Sequence, residues 1–77
     1  MRLKFTRSSR RHRIGRAHAM HVINSVEPEV TLNEWDEEEY LWVGADDRGV
    51  TLEIAGVVVE DDLLLVLHVM PRRFRRK

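Results

Sequence analysis

The stretch from Tyr40 to Met70 leaves this chain few folds to choose from. It reads YLWVGADDRG, VTLEIAGVVVE, DDLLLVLHVM: three apolar runs divided by polar turns at residues 44–49 and 60–62. Each run is rich in Val, Leu and Ile and too short for an ordinary helix. Apolar runs of that length, closed by Gly and Asp, predict a three-stranded antiparallel meander. Most of the apolar mass lies here, so the remaining segments must cover this sheet or extend it.

The flanking segments show what is left to do so. Arg2-Leu3-Lys4-Phe5 alternates polar and apolar residues, as a short edge strand guarded by its charges does. Thr6 or Ser8 can cap a helical segment that follows. From Ile14 to Val26 the spacing is helical, with Gly15, Ala19, Val22, Ile23 and Val26 on one narrow stripe and Arg10, Arg13, Met20 and His21 pointing away. Arginines in a first helical turn oppose the macrodipole. Gly15 is therefore expected to divide the segment into a short turn over residues 7–12 and a longer helix. Glu27 to Glu39 is acidic, anchored only by Val30, Leu32 and Trp35, and reads as a solvated connector with a short strand at Val30–Leu32. Strict alternation in the last run sets Leu63, Leu65, Leu67 and Val69 against Leu64, Val66, His68 and Met70. Pro71 ends that run because it cannot donate to a ladder. The expectation is one compact α+β domain over residues 1–71, with a strand and one or two helices on a three- to four-stranded antiparallel sheet. A basic tail, residues 72–77, follows.

At 77 residues and without cysteine, the chain has a small core and no disulfide staple. A partner chain is a reasonable expectation. No apolar run approaches the ~20 residues of a membrane span, and the first residues lack the apolar core of a secretory signal. A cytoplasmic location is expected.

Zero net charge conceals a strong segregation. Residues 1–24 carry +7, residues 25–67 carry −12 and residues 68–77 carry +5. Such ends suit a polyanion, or they pair with the acidic middle. Eleven Arg against two Lys lean toward phosphate, whose oxygens a guanidinium fork matches. The basic ends, Arg7, Arg10, Arg11, Arg13 and Arg16 with Arg73, Arg75 and Arg76, are the candidate nucleic-acid contacts. Phe74, set among arginines, is the best candidate to stack on a base. Tyr40 is a weaker one, and Trp42 reads as core.

Standard phosphate-loop, dinucleotide, zinc-protease and hydrolase motifs are missing. His18 and His21 lack a third ligand nearby, so neither a metal nor another cofactor is expected. A different set suits metal-free phosphodiester cleavage: a base for the attacking 2′-hydroxyl, an acid for the leaving oxygen and cations for the phosphorane. His68, Glu53, Arg48 and Arg72 supply it if Glu53 and His68 share a sheet face. The plainer readings are a core histidine at 68 and a solvent-facing carboxylate at 53.

Arg11-His12-Arg13-Ile14 ahead of a helix with Ala19-Met20-His21-Val22-Ile23, then Tyr40-Leu41-Trp42-Val43-Gly44, Asp46-Asp47-Arg48-Gly49 and Leu52-Glu53-Ile54, resemble the BrnT-like toxins of bacterial type II toxin–antitoxin systems. These belong to the RelE/ParE toxin superfamily, and the last strand running into Val69-Met70-Pro71-Arg72-Arg73 fits the same outline. Arg13 stands where that family carries Gly, and its N-terminal Trp-Asp signature is absent. The resemblance implies a RelE-like fold and an mRNA endoribonuclease, free or ribosome-bound, held inactive in a hetero-oligomer with an antitoxin. It adds His12 to the candidate catalytic set and matches Arg48. The competing expectation is a non-catalytic nucleic-acid-binding or protein-interaction module.

Overall fold

The computed structural model describes residues 1–74. Arg75, Arg76 and Lys77, three of the tail's basic residues, lie outside the described residues.

Among the described residues, the strands are β1 (Arg2–Phe5), β2 (Glu29–Leu32), β3 (Glu38–Ala45), β4 (Thr51–Glu60) and β5 (Leu63–Pro71), and the α-helix is α1 (Arg16–Ser25). Short 3-10 turns stand at Ser8–Arg10 and Arg72–Phe74. The strands form one sheet in the order β1-β5-β4-β3-β2. The chain is α+β, as its pattern predicts, but the sheet is larger than expected and mixed. The acidic connector supplies a whole strand, β2, and β1 joins parallel to β5. The meander itself is antiparallel, with Trp42 opposite Ile54 and Ile54 opposite Val69.

Gly15 breaks the basic segment where expected, at the N-cap of α1. The stripe predicted for the helix is the one it buries. Ala19 and Val22 are fully buried against Trp42, Leu52, Ile54, Leu64, Val66 and Val69. Arg16 begins α1 against the macrodipole, and its guanidinium sits 4.9 Å from the Phe5 ring centroid, a cation–π contact that offsets part of that cost. α1 ends where Val26 turns extended ahead of Pro28. Its last turn closes on β3 because Gly44 has no side chain. A Cβ there would lie 2.7 Å from Val26 Cγ1.

Two expectations about β2 and β5 are corrected. Val30, Leu32 and Trp35 do not anchor the connector; Leu32 is 65% and Trp35 71% exposed. The hairpin is held by Asn33 instead, whose Oδ1 accepts the Trp35 and Glu37 N–H groups. In β5 strict alternation fails, because Val66 pairs with Gly56 and His68 with Ala55, leaving Leu67 as an extra residue. This β-bulge resets the side-chain parity. Leu64, Val66 and Val69 all face the helix, while Leu65, Leu67, His68 and Met70 take the other face.

Gly56 is the close-approach point beside the bulge. A Cβ at that position would lie 2.5 Å from Leu64 Cδ2 and 2.8 Å from the Leu65 carbonyl oxygen. Because one of these atoms is backbone, Gly56→Ala is expected to lower stability by about 1–3 kcal/mol. A shift of the urea midpoint without a change of slope will measure it.

Candidate functional site

The bulge has a chemical consequence. Val43, Glu53 and Met70 form one row across the sheet, and Leu41, Ala55 and His68 form the next. Glu53 and His68 therefore share the face away from α1. Glu53 is 5% exposed, against the plainer expectation of a solvent-facing carboxylate. Its Oε2 lies 3.8 Å from His68 Nε2 and its Oε1 lies 3.9 Å from Arg72 Nε. The His68 Nε2 atom is itself buried and has no hydrogen-bond partner among the described residues.

His12 reaches the same place by another route. β1 ends at Phe5, beyond which β5 would present bare carbonyls. Thr6 takes over, donating its N–H and its hydroxyl to the Val66 carbonyl, each at 3.0 Å. Ser8 donates its hydroxyl to the carbonyl of Leu67, the bulged residue, at 2.8 Å. These bonds lay the Ser8–Arg10 turn over β5, and the chain leaving it places the His12 ring edge-on to His68, centroids 6.4 Å apart. A carboxylate, two imidazoles and a guanidinium thus meet at one end of β5.

Arg48 does not join them. It sits in the β3–β4 turn, where Nε and Nη2 both donate to Asp46 Oδ2 at 3.0 and 2.6 Å. Asp46 Oδ1 accepts the backbone N–H groups of Arg48 and Val50. Burial would raise the Asp46 carboxyl, but the Arg48 guanidinium and the two N–H donors outweigh it and hold the pKa at about 2. The Asp-x-Arg-Gly spacing is an Asx-turn pattern, and closing this turn is a role that the expectation of a catalytic Arg48 does not include. Asp47, next in the turn, accepts a hydrogen bond from His18, which lowers its pKa. His18, Asp46 and Asp47 bring ligand atoms within 4.8 Å of one another. Both Asp46 oxygens are already engaged in closing the turn.

The basic residues divide by position. Arg7, Arg10, Arg11, Arg13 and Arg16 are all exposed beside the β1 edge. Arg10, Arg13 and Arg16 border a hollow of about 480 Å³ floored by Phe5, Ser9 and Ile14, at the N-terminus of α1. Arg73 is exposed next to Arg72. Tyr40 stacks on buried Trp42, centroids 5.5 Å apart, and stands in the helix-side row with Gly56 and Val66. Neither ring is placed to meet a base near Glu53. Burial, then Glu38, raises the Tyr40 pKa.

Comparison of the chain with protein-family models, with curated proteins and with solved structures finds no match in any of the three. No helix among the described residues is long and apolar enough to cross a membrane.

The turn clamp makes a clear prediction. With the folded Asp46 pKa at about 2 against an ordinary 3.8, its stabilisation is complete above pH 3.8 and is lost as pH falls toward 2. The size is about 2 kcal/mol at neutral pH. Asp46→Asn keeps an acceptor for the two N–H groups but loses the ion pair. It is expected to cost about that much in urea unfolding at neutral pH, with the gap to wild type closing in acid.

Proposed function

We propose that this chain is a metal-independent endoribonuclease of the small-toxin type, with His12, Glu53, His68 and Arg72 at its centre. The observation that carries the reading is the meeting of two imidazoles, edge to face, beside a buried carboxylate that also faces a guanidinium. That set matches the needs of 2′-hydroxyl attack on the adjacent phosphorus. One imidazole accepts the 2′-hydroxyl proton as the O2′–P bond forms. The other gives a proton to O5′ as the P–O5′ bond breaks, leaving a 2′,3′-cyclic phosphate and a 5′-hydroxyl. Arg72 stabilises the charge that gathers on the phosphorane oxygens. Glu53 orients His68 and holds Arg72 close. The arginine-bordered hollow beside β1 would hold the RNA backbone on one side and Arg73 on the other.

The backbone supports the resemblance at one further point. Arg13 has φ +58°, the left-handed region that favours glycine, and it occupies the position where BrnT-like chains carry Gly. In that reading the sheet is RelE-like, Arg48 is structural, and a cognate antitoxin holds the enzyme inactive in the cell.

The experiment is induced expression in a bacterial host, followed by cleavage of a defined RNA with purified protein in EDTA. Wild type is expected to arrest growth and to cleave. His68→Ala and Arg72→Ala should relieve arrest and slow cleavage about 10²–10⁴-fold while remaining folded by circular dichroism. Normal growth with soluble wild-type protein would overturn the toxin reading. The exposed arginines beside β1 favour a second reading, a non-catalytic RNA-binding module. It is recognised by RNA retention without cleavage and a salt slope that falls by about 1 for each arginine removed.

A further inference from the structure

One face of the sheet is packed under α1. The other, beyond the end where His12 and Arg72 stand against His68 and Glu53, is covered by no element among the described residues, and its centre is apolar. Leu41, Val43, Ala55, Val57, Leu65 and Leu67 share it, and Leu67 is 41% exposed. A shallow concavity of about 410 Å³ runs between Leu41, Ala55, Val57 and Leu67. A contiguous apolar area of this kind marks an interaction surface.

The charge around the face is antisymmetric, and that identifies the occupant. The segment forming the β1 edge, residues 1–16, carries seven Arg/Lys and no acid. The segment forming the β2 edge, residues 27–39, carries seven Asp/Glu and no base. Four strand spacings, ~19 Å, separate the two edges. On the open face itself Arg2 and Lys4 stand at one side, and Glu29, Thr31 and Glu39 at the other.

We propose that this face is closed by a second copy of the chain, sheet against sheet, about a two-fold axis parallel to the strands. A two-fold contact brings the same patch together from both copies. An axis across the strands would set β1 on β1 and β2 on β2, like charge on like, which costs free energy at each pair. An axis along the strands sets β1 of each copy over β2 of the other. Lys4, Leu65, Val57, Glu39 and Thr31 lie in a single row of the sheet. In the pair, Lys4 therefore stands over Thr31 of the other copy, flanked by Glu29 and Glu39, and Val57 meets Val57 on the axis. The apolar centres are buried, and aligned sheets pack with interdigitated side chains ~10 Å apart. A face of this extent is on the order of a standard interface, ~800 Å² per partner. Both Glu53–His68 groups then sit at the same end of the pair, with the turns carrying His12 and Arg72 at its rim. The inference does not rest on the ribonuclease reading.

The test is sedimentation velocity on the full, RNA-free chain over a wide concentration range. The expected mass is twice the 9.1 kDa of the chain. Leu67→Glu should give a monomer that keeps the circular dichroism of the folded chain and still melts cooperatively, at a lower temperature because the dimer no longer stabilises it; Val57→Lys makes the same test should that variant misfold. Leu32→Glu, more exposed but on the helix side of the β2 edge, should leave the dimer intact. Lys4→Glu and Glu29→Lys should each weaken the dimer about tenfold, and the double reversal should recover most of the loss. A wild-type monomer at every concentration overturns the proposal, as does a Leu67→Glu protein that remains dimeric. Disruption by Leu32→Glu overturns it in favour of edge pairing. Failure of the double reversal overturns the axis direction.

Discussion

One inserted residue, Leu67, determines what the far half of β5 can do. Without the bulge, His68 would take the helix face with Val66, and a histidine there would displace core. With it, Val66 and Val69 both face α1, and His68 turns to the side that carries Glu53. The bulge persists because its surroundings satisfy it. Gly56 opposite leaves room for Leu64, and Ser8 closes the one carbonyl that the bulge and the end of β1 together would leave bare. Packing, backbone hydrogen bonding and the site are thus one arrangement.

The fold was legible in the sequence wherever a residue's environment is set by its own strand or helix. The meander, the break at Gly15, the buried stripe of α1 and the core position of Trp42 follow from period and punctuation. What escaped depended on pairing partners. The strand expected at Val30–Leu32 forms, but what holds it is not legible: β2 has no buried residue, and it exists because β3 offers an edge and Asn33 closes the turn. The parity of β5 departs from strict alternation because a bulge leaves no mark in a run of Leu and Val. Of the candidate site, Glu53, His68 and Arg72 could be named, but only the register shows that they meet. Arg48 is engaged by the turn, because a guanidinium two residues after an aspartate can close an Asx turn as well as offer its charge.

Segregated charge in the sequence becomes polarity in space. The strand order sends the first segment to one edge of the sheet and the acidic hairpin to the other, so most of the opposite charges cannot neutralise one another within the chain. Among the described residues, contacts of the kind the internal-pairing expectation describes include the amino terminus with Asp62 at 3.4 Å and Arg72 with Glu53 at 3.9 Å. Arg16 spends its charge on the Phe5 ring, and Arg48 on Asp46. A molecule this small, basic along one edge and acidic along the other, presents its field to whatever approaches. Such a field would guide a polyanion toward the β1 side and hold it away from β2.

Glu53 brings structure and chemistry into tension. A carboxylate buried in an apolar row is costly unless cations and dipoles face it. Here His68 and Arg72 stand at 3.8 and 3.9 Å, on opposite oxygens and at ion-pair rather than hydrogen-bond length. That spacing leaves Arg72, half exposed, able to turn its guanidinium outward toward an anion without leaving the carboxylate's field. The same spacing means that removing either partner leaves a buried carboxylate less well compensated, so loss of activity in such a variant is informative only when its stability is measured beside it. Replacing Glu53 by Gln separates the two effects. The amide keeps the volume and removes the charge that needs compensation, so a folded but inactive Glu53→Gln protein would assign the carboxylate to the chemistry and not to the sheet.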